Sequence, residues 1–158
     1  MEKITPSNSQ KIFPYLWFNG NLEEAVRFYT STFSNSRILS MNIIPENISM
    51  ATFELEGLQF MALDGGPYYA FSPAVSFYIH CDTQDEIDNF WNAFIDGGGQ
   101  ELQCGWLTDK FGVTWQIIPS ILGKLMTDPD TERSNRVVQA MLKMKKIIIA
   151  DLLQAHEN

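Results

Sequence analysis

The side chains that could carry chemistry are few, and most stand alone. His80 is the only histidine outside the C-terminal tail, and an imidazole can act as a general base near neutral pH. It ends a probable strand, a place where partial solvation explains a histidine as well as catalysis does. Cys81 follows it directly but, by strand alternation, faces the opposite side. The two therefore cannot form a thiol–imidazole pair within that strand. Cys104, before Gly105-Trp106, reads as a buried inert thiol or as pocket lining. Glu54 and Glu56 bracket Leu55 and would share one face of a strand, a spacing open to a carboxylate pair or to a solvated edge. Asp109 and Lys110 lie in TDKFG, and Asp64 precedes Gly65-Gly66-Pro67. Both runs have the composition of turns.

Composition limits what such groups can serve. The chain has 158 residues, 45% hydrophobic and 13% aromatic, enough to build a real core. Its formal net charge of −8 argues against a nucleic-acid groove or an anionic membrane surface as partner. Lys143, Lys145 and Lys146 form the one basic cluster, and its position in a probable helix reads as a solvated face. The start, MEKITPSNSQKIF, has no apolar leader segment, and no apolar run is long enough to cross a bilayer. The expectation is a cytoplasmic protein whose two cysteines stay reduced.

The elements that position these groups show themselves through an internal repeat. IFPYLWF followed by NLEEAVRFYTSTF, Ile12 to Phe33, lies over AVSFYIH followed by TQDEIDNFWNAFI, Ala74 to Ile95. At an offset of 62, Pro14 falls on Ser76 and Phe28-Tyr29 on Phe90-Trp91. Leu22, Ala25, Phe28 or Tyr29, and Phe33 make one helical stripe; Ile87, Phe90, Trp91 and Phe94 make the other. Asn21 and Thr83 are the expected N-caps, and Gly97-Gly98-Gly99 the expected stop. The ends of the halves match at an offset of 55, with Gly57–Leu63 over Gly112–Ile118. Probable strands at Arg37–Ile44, Ser49–Leu55, Gln100–Cys104 and Trp106–Thr108 complete each half. The chain thus reads as one α+β domain over residues 1–158 built from two βαβββ modules, about 11–65 and about 73–120. A helical tail follows at about 128–156. There Val137, Met141, Met144, Ile148 and Leu152 follow the stripe of one helix, or the run Ile147-Ile148-Ile149 instead marks a break between two shorter helices.

In organisation and in wording, this chain resembles the PhnB-like branch of the vicinal-oxygen-chelate superfamily, the glyoxalase, bleomycin-resistance and dioxygenase group. The resembling stretches are PYLWFNGNLEEAVRFY, FMALDGGP, CGWLTDKFGVTWQIIP and VVQAMLKMKK. The resemblance implies a curved mixed sheet with a cavity, and in metal-dependent members two ligands from each module. Counting from Phe28-Tyr29, and then by the two offsets, those positions fall on Pro14, Met61, Ser76 and Gln116. Proline has no donor, serine and glutamine are weak neutral ligands, and a thioether prefers soft ions. No metal and no cofactor is expected. Some relatives are labelled demethylubiquinone methyltransferases, but no glycine-rich strand-to-helix fingerprint supports a dinucleotide-like cofactor here.

Parity assigns Ser76, Tyr78 and His80 to the cavity side, and Gln116 with Thr114 and Ile118. The same reasoning sends Pro14, Leu16 and Phe18, and Met61 with Gln59 and Leu63, to that side. Trp91 and Trp115 should be core, and Trp106 a pocket wall. The expected ligand-binding residues are Leu16, Met61, Ser76, Tyr78, Trp106 and Gln116, with His80 the candidate catalytic group. An aromatic, mostly apolar cavity with a few polar groups suits a small organic molecule. The alternatives are a metal-independent isomerase or lyase, and a partner-binding protein whose pocket has filled. The resemblance further implies a homodimer.

Overall fold

The computed structural model describes residues 10–158. The first nine residues of MEKITPSNSQKIF, on which the reading of the N-terminus partly rests, lie outside the described residues. The chain divides into two compact units, the first ending at Ala70 and the second running Phe71–Asn158.

In the first unit, β1 (Tyr15–Phe18) leads into α1 (Leu22–Thr32), and β2 (Ser36–Asn42), β3 (Met50–Leu55) and β4 (Leu58–Asp64) follow. The sheet order is β1-β4-β3-β2, with β1 parallel to β4 and the other pairs antiparallel. Helix α1 buries Leu22, Ala25, Val26 and Tyr29. These meet alternate residues of the strands: Leu16 and Phe18, Ala51 and Phe53, Phe60 and Ala62, all buried. Tyr29 stacks on Phe53, and Phe53 on Phe60 at 5.2 Å. Such aromatic pairs add about 0.5–1.5 kcal/mol each beyond their buried area. The β3–β4 connection is the two-residue turn Glu56-Gly57, both at positive φ, which matches the twist of a tight hairpin.

In the second unit, β5 (Ser76–Cys81) leads into α2 (Gln84–Asp96), followed by β6 (Gln100–Glu101), β7 (Trp106–Thr108) and β8 (Thr114–Pro119). The order β5-β8-β7-β6 repeats that of the first sheet, again with one parallel pair. Ile87, Trp91 and Phe94 of α2 pack on Ile79, Cys81, Leu107, Trp115 and Ile117. Both tryptophans expected in the core are there. The α2 N-terminus carries the expected Thr83 cap as a full capping box, with Glu86 reaching back to the cap backbone.

Three helices complete this unit: α3 (Ser120–Met126), α4 (Thr131–Met141) and α5 (Ile149–Glu157). The break between α4 and α5 falls at the isoleucine run, as one of the two sequence readings had it. Ile118, Leu122, Leu125, Val137, Ile147 and Leu152 form their shared core. At the far end Arg136 donates to the carbonyls of Ala155 and His156, and His156 Nε2 lies 2.7 Å from Asp128 Oδ2. No helix among the described residues is long and apolar enough to cross a membrane.

Candidate functional site

In each unit one sheet face is covered by α1 or α2 and the other is not covered by that helix, although on the second sheet the far face is buried at Thr114 and, in the core of the tail helices, at Ile118. The uncovered face of the second sheet gathers the residues singled out from sequence. Ser76, Tyr78 and His80 share it by alternation along β5. Register carries it across the sheet, with Tyr78 opposite Gln116 on β8 and Gln116 opposite Trp106 on β7. Gln116 donates through Nε2 to the Ser76 hydroxyl at 2.8 Å. The Tyr78 and His80 rings lie 6.2 Å apart, and Tyr78 is 58% exposed. Desolvation, with a smaller contribution from the Cys81 sulfur, holds the Tyr78 phenol above its usual range. It therefore stays a hydrogen-bond donor at neutral pH. His80 is exposed, and among the described residues no carboxylate orients its imidazole, so no acid–base relay is assembled around it.

Cys81 points to the opposite face, as alternation requires. Burial pushes its thiol up to about 12, with Glu86 and Asp82 adding to the effect. It is an inert core residue, and both cysteines are free thiols. Cys104 is only partly buried and has φ +60.

The first sheet corrects the parity expected for β1. Leu16 and Phe18 are 6% and 2% exposed and lie on the helix-covered face, Leu16 in register with buried Ala62. The uncovered face carries Tyr15 and Trp17, with Tyr15 opposite Met61 and Met61 opposite Thr52. Leu16 is thus a core residue, and Pro14 does not share a face with Met61.

The cause is one residue. Three residues, Asn19-Gly20-Asn21, join β1 to α1, whereas only Asp82-Thr83 join β5 to α2. The helices superpose at an offset of 62 and the strands at 63. Tyr15 is therefore the counterpart of Tyr78, Leu16 of Ile79, and Phe18 of Cys81. Gly20, at φ +79, takes up the extra residue.

That longer turn also changes the helix cap. Asn21 makes no side-chain cap hydrogen bond. Asp64, from the end of β4, takes its place: its two carboxylate oxygens accept from Gly20 N at 2.9 Å and Leu22 N at 3.3 Å. Asp64, Gly20, Asn21, Glu23, Glu24 and Ile43 line an acidic hollow of about 390 Å³ that sequence reading did not pick out. The following glycine has a packing role. A Cβ on Gly65 would lie 2.0 Å from the Trp17 indole, whose Nε1 donates to Gly66 O.

The remaining candidates resolve locally. Glu54 pairs with Arg37 at 3.3 Å. Glu56 sits in the turn and accepts from Asn35 N, so the two glutamates form no carboxylate pair. Asp109 is 4% exposed and organises the β7–β8 turn. It accepts from Phe111 N, Val113 N and Trp115 Nε1. Lys145 and Lys146 occupy no helix face: they lie between α4 and α5 and reach Glu101 at 3.2 Å and Asp88 at 2.8 Å.

The residues at the expected metal positions do not fit a divalent ion. Ser76 and Gln116 engage each other, Met61 offers a thioether, and its register partner is a phenol rather than an imidazole. Among the described residues no three histidine, cysteine, aspartate or glutamate side chains come together as a metal-holding group.

Comparison with known proteins places this geometry. Residues 10–118 match the family described as 3-demethylubiquinone-9 3-methyltransferase. A PhnB protein from Bacillus cereus, provisionally described by the same activity, is 37% identical over 70% of this chain and 100% of its own, with a TM-score of 0.65. A Pseudomonas aeruginosa protein is 26% identical over 70% of this chain and 98% of its own, with a TM-score of 0.60. The fosfomycin resistance protein FosX of Mesorhizobium loti shares the fold at 11% identity and a TM-score of 0.53, over 68% of this chain and 89% of its own. No curated protein matches the chain.

Proposed function

This chain belongs to the family described as 3-demethylubiquinone-9 3-methyltransferase, in its PhnB-like branch with a glyoxalase-like fold, and from that premise we propose that it binds a small organic molecule without a metal ion. The uncovered face of the second sheet is the binding surface in this reading. One observation carries it: a neutral hydrogen-bonded pair, Gln116–Ser76, set between two aromatic side chains, Tyr78 and Trp106, on one face. Aromatic walls supply desolvated contact area, and the amide and hydroxyls supply direction. Such a surface suits an uncharged or weakly polar planar molecule better than a phosphate, since no lysine or arginine belongs to it.

The test is tryptophan fluorescence quenching across a library of aromatic metabolites and antibiotics, repeated with Trp106→Phe and Gln116→Ala. A saturable signal from at least one compound, lost in both variants, is the expected result. A library in which nothing saturates, or a signal that survives both variants, overturns the reading.

The proposal extends to a homodimer. Tyr15 and Met50 stand 48% and 46% exposed on the uncovered face of the first sheet, apolar surface of the sort that identical subunits bury. Light scattering on the eluting protein is expected to give twice the chain mass; the mass of one chain overturns this part.

A further inference from the structure

The family match ends at Ile118, and the three helices that follow have contacts that matched region does not explain. The segment between α4 and α5 is bound to the second sheet by backbone as well as by side chains. Cys104 N donates to Met144 O at 2.8 Å and Gly105 N to Lys145 O at 2.7 Å. The Gln84 side-chain amide behaves like a strand partner: Nε2 donates to Ile147 O at 3.1 Å, and Oε1 accepts from Ile149 N at 2.8 Å. Lys145 and Lys146 add ion pairs to Glu101 and Asp88.

These contacts converge on an unusual turn. Cys104 and Gly105 are consecutive left-handed residues, at φ +60 and +81, and a non-glycine residue holds that conformation only where its surroundings over-determine it. Here two successive N–H groups are fixed by the tail, and Gly105 O accepts from Ile117 N at 2.7 Å. There is no space for adjustment. A Cβ on Gly105 would stand 2.7 Å from Ile118 Cδ1 and 3.0 Å from Ile147 Cγ1. The next residue is Trp106, and its own N–H returns to Gln103 O. Ile118, which has the parity of Gln116, is buried in the tail's core.

The geometry points to the segment Met144–Ile149 as a positioning element that fixes Trp106 on the ligand-bearing face, so that docking of the tail and binding on that face are coupled. The inference rests on the binding reading above, and it adds what regulates that surface. A coupling of this kind is reciprocal: a ligand held against Trp106 stabilises the docked tail by as much as the docked tail favours the ligand. Lys145, Gln84 and Ile147 act here through the turn, not by touching ligand.

The experiment uses the full chain labelled with 5-fluorotryptophan, the Trp106 resonance being assigned from Trp106→Phe, and needs no ligand. Ile147→Asp places a charge in the tail's core to release the segment. Hydrogen exchange of the Cys104 and Gly105 amides reports release, and the fluorine lines report position. The expected result is exchange of those two amides accelerated about tenfold or more, with the Trp106 line shifted or broadened and those of Trp17 and Trp115 unchanged. A Trp106 line identical to wild type despite accelerated exchange overturns the inference, as does exchange that is not accelerated. Should Ile147→Asp collapse all four lines, Gln84→Ala, which removes only the amide clamp, decides by the same criteria. Because no ligand enters, failure here leaves the binding reading intact, and an empty quenching screen leaves this result interpretable.

Discussion

The two units have the same topology and strand order, yet they secure the same helix start by opposite means. In the second unit the cap is local: Thr83 and Glu86, three residues apart, satisfy each other's backbone donors. In the first, the cap comes from Asp64, more than forty residues from the turn it binds. One extra residue between strand and helix separates the two solutions. It also turns the β1 side chains over relative to a direct alignment with β5. A duplicated fold thus tolerates a change in loop length provided that a polar group elsewhere takes over the cap.

The return turn before each last strand differs as strongly, and it offers the largest test. The first unit uses the two-residue Glu56-Gly57, while the second uses a longer turn centred on the buried Asp109 carboxylate. Asp109→Ala leaves three donors without their acceptor, one of them the buried Trp115 indole. Each hydrogen bond to a charged group contributes about 1.5–3 kcal/mol. Urea denaturation is therefore expected to show a loss of about 3 kcal/mol or more, confined to the second unit's tryptophan signal. A loss below about 1 kcal/mol would mean that the turn holds itself, like its two-residue counterpart.

Asp64→Ala comes next. It removes a charged cap from the α1 start and is expected to cost about 1–2 kcal/mol, with Asp64→Asn recovering part of the loss. Thr83→Ala, the matching change in the second unit, is expected to cost about 1 kcal/mol. If Thr83→Ala proves the costlier of the two, the remote cap is the weaker device and the comparison reverses.

A pH-dependent effect distinguishes the counterparts Phe18 and Cys81. The folded thiol is pushed up to about 12, against about 8.5 in an unfolded chain. A group whose folded value is raised contributes fully below the unfolded value and loses that contribution as pH rises toward the folded one. Wild-type protein should therefore lose stability relative to Cys81→Val between about pH 8.5 and 10, with the two parallel below about pH 7.5. Parallel curves throughout would show that the Cys81 site does not disfavour the thiolate.

These contrasts also explain which features could be read from sequence. SFYIHC alternates polar with apolar side chains, so the faces of β5 follow from pattern alone, and Ser76, Tyr78 and His80 share one sheet face with Gln116. YLWF is apolar and aromatic at all four positions. Nothing in it distinguishes core from open face, and the borrowed offset then misassigned Pro14 and Leu16. Thr83 with Glu86 is a short-range signal, whereas Asp64 as a cap depends on where the end of β4 lies in space. The signal that could have flagged the slip was Gly20, a turn glycine with no equivalent between Cys81 and Thr83. The same limit applies to Lys145 and Lys146: helical spacing suggested a solvated face, and only the path of the chain brings them to Glu101 and Asp88.

The left-handed turn at Cys104-Gly105 also has a consequence for the order of events during synthesis. Its tail partners Met144 and Lys145 lie about forty residues downstream. At about 5–20 residues per second, they follow the turn off the ribosome by about 2–8 seconds. Through that interval the β6–β7 turn has strand partners within its own sheet, β8 included, but no tail carbonyls, and its two inward N–H groups must be served by water. The aromatic face of the second sheet is therefore completed late, by a part of the chain that lies after the matched residues 10–118.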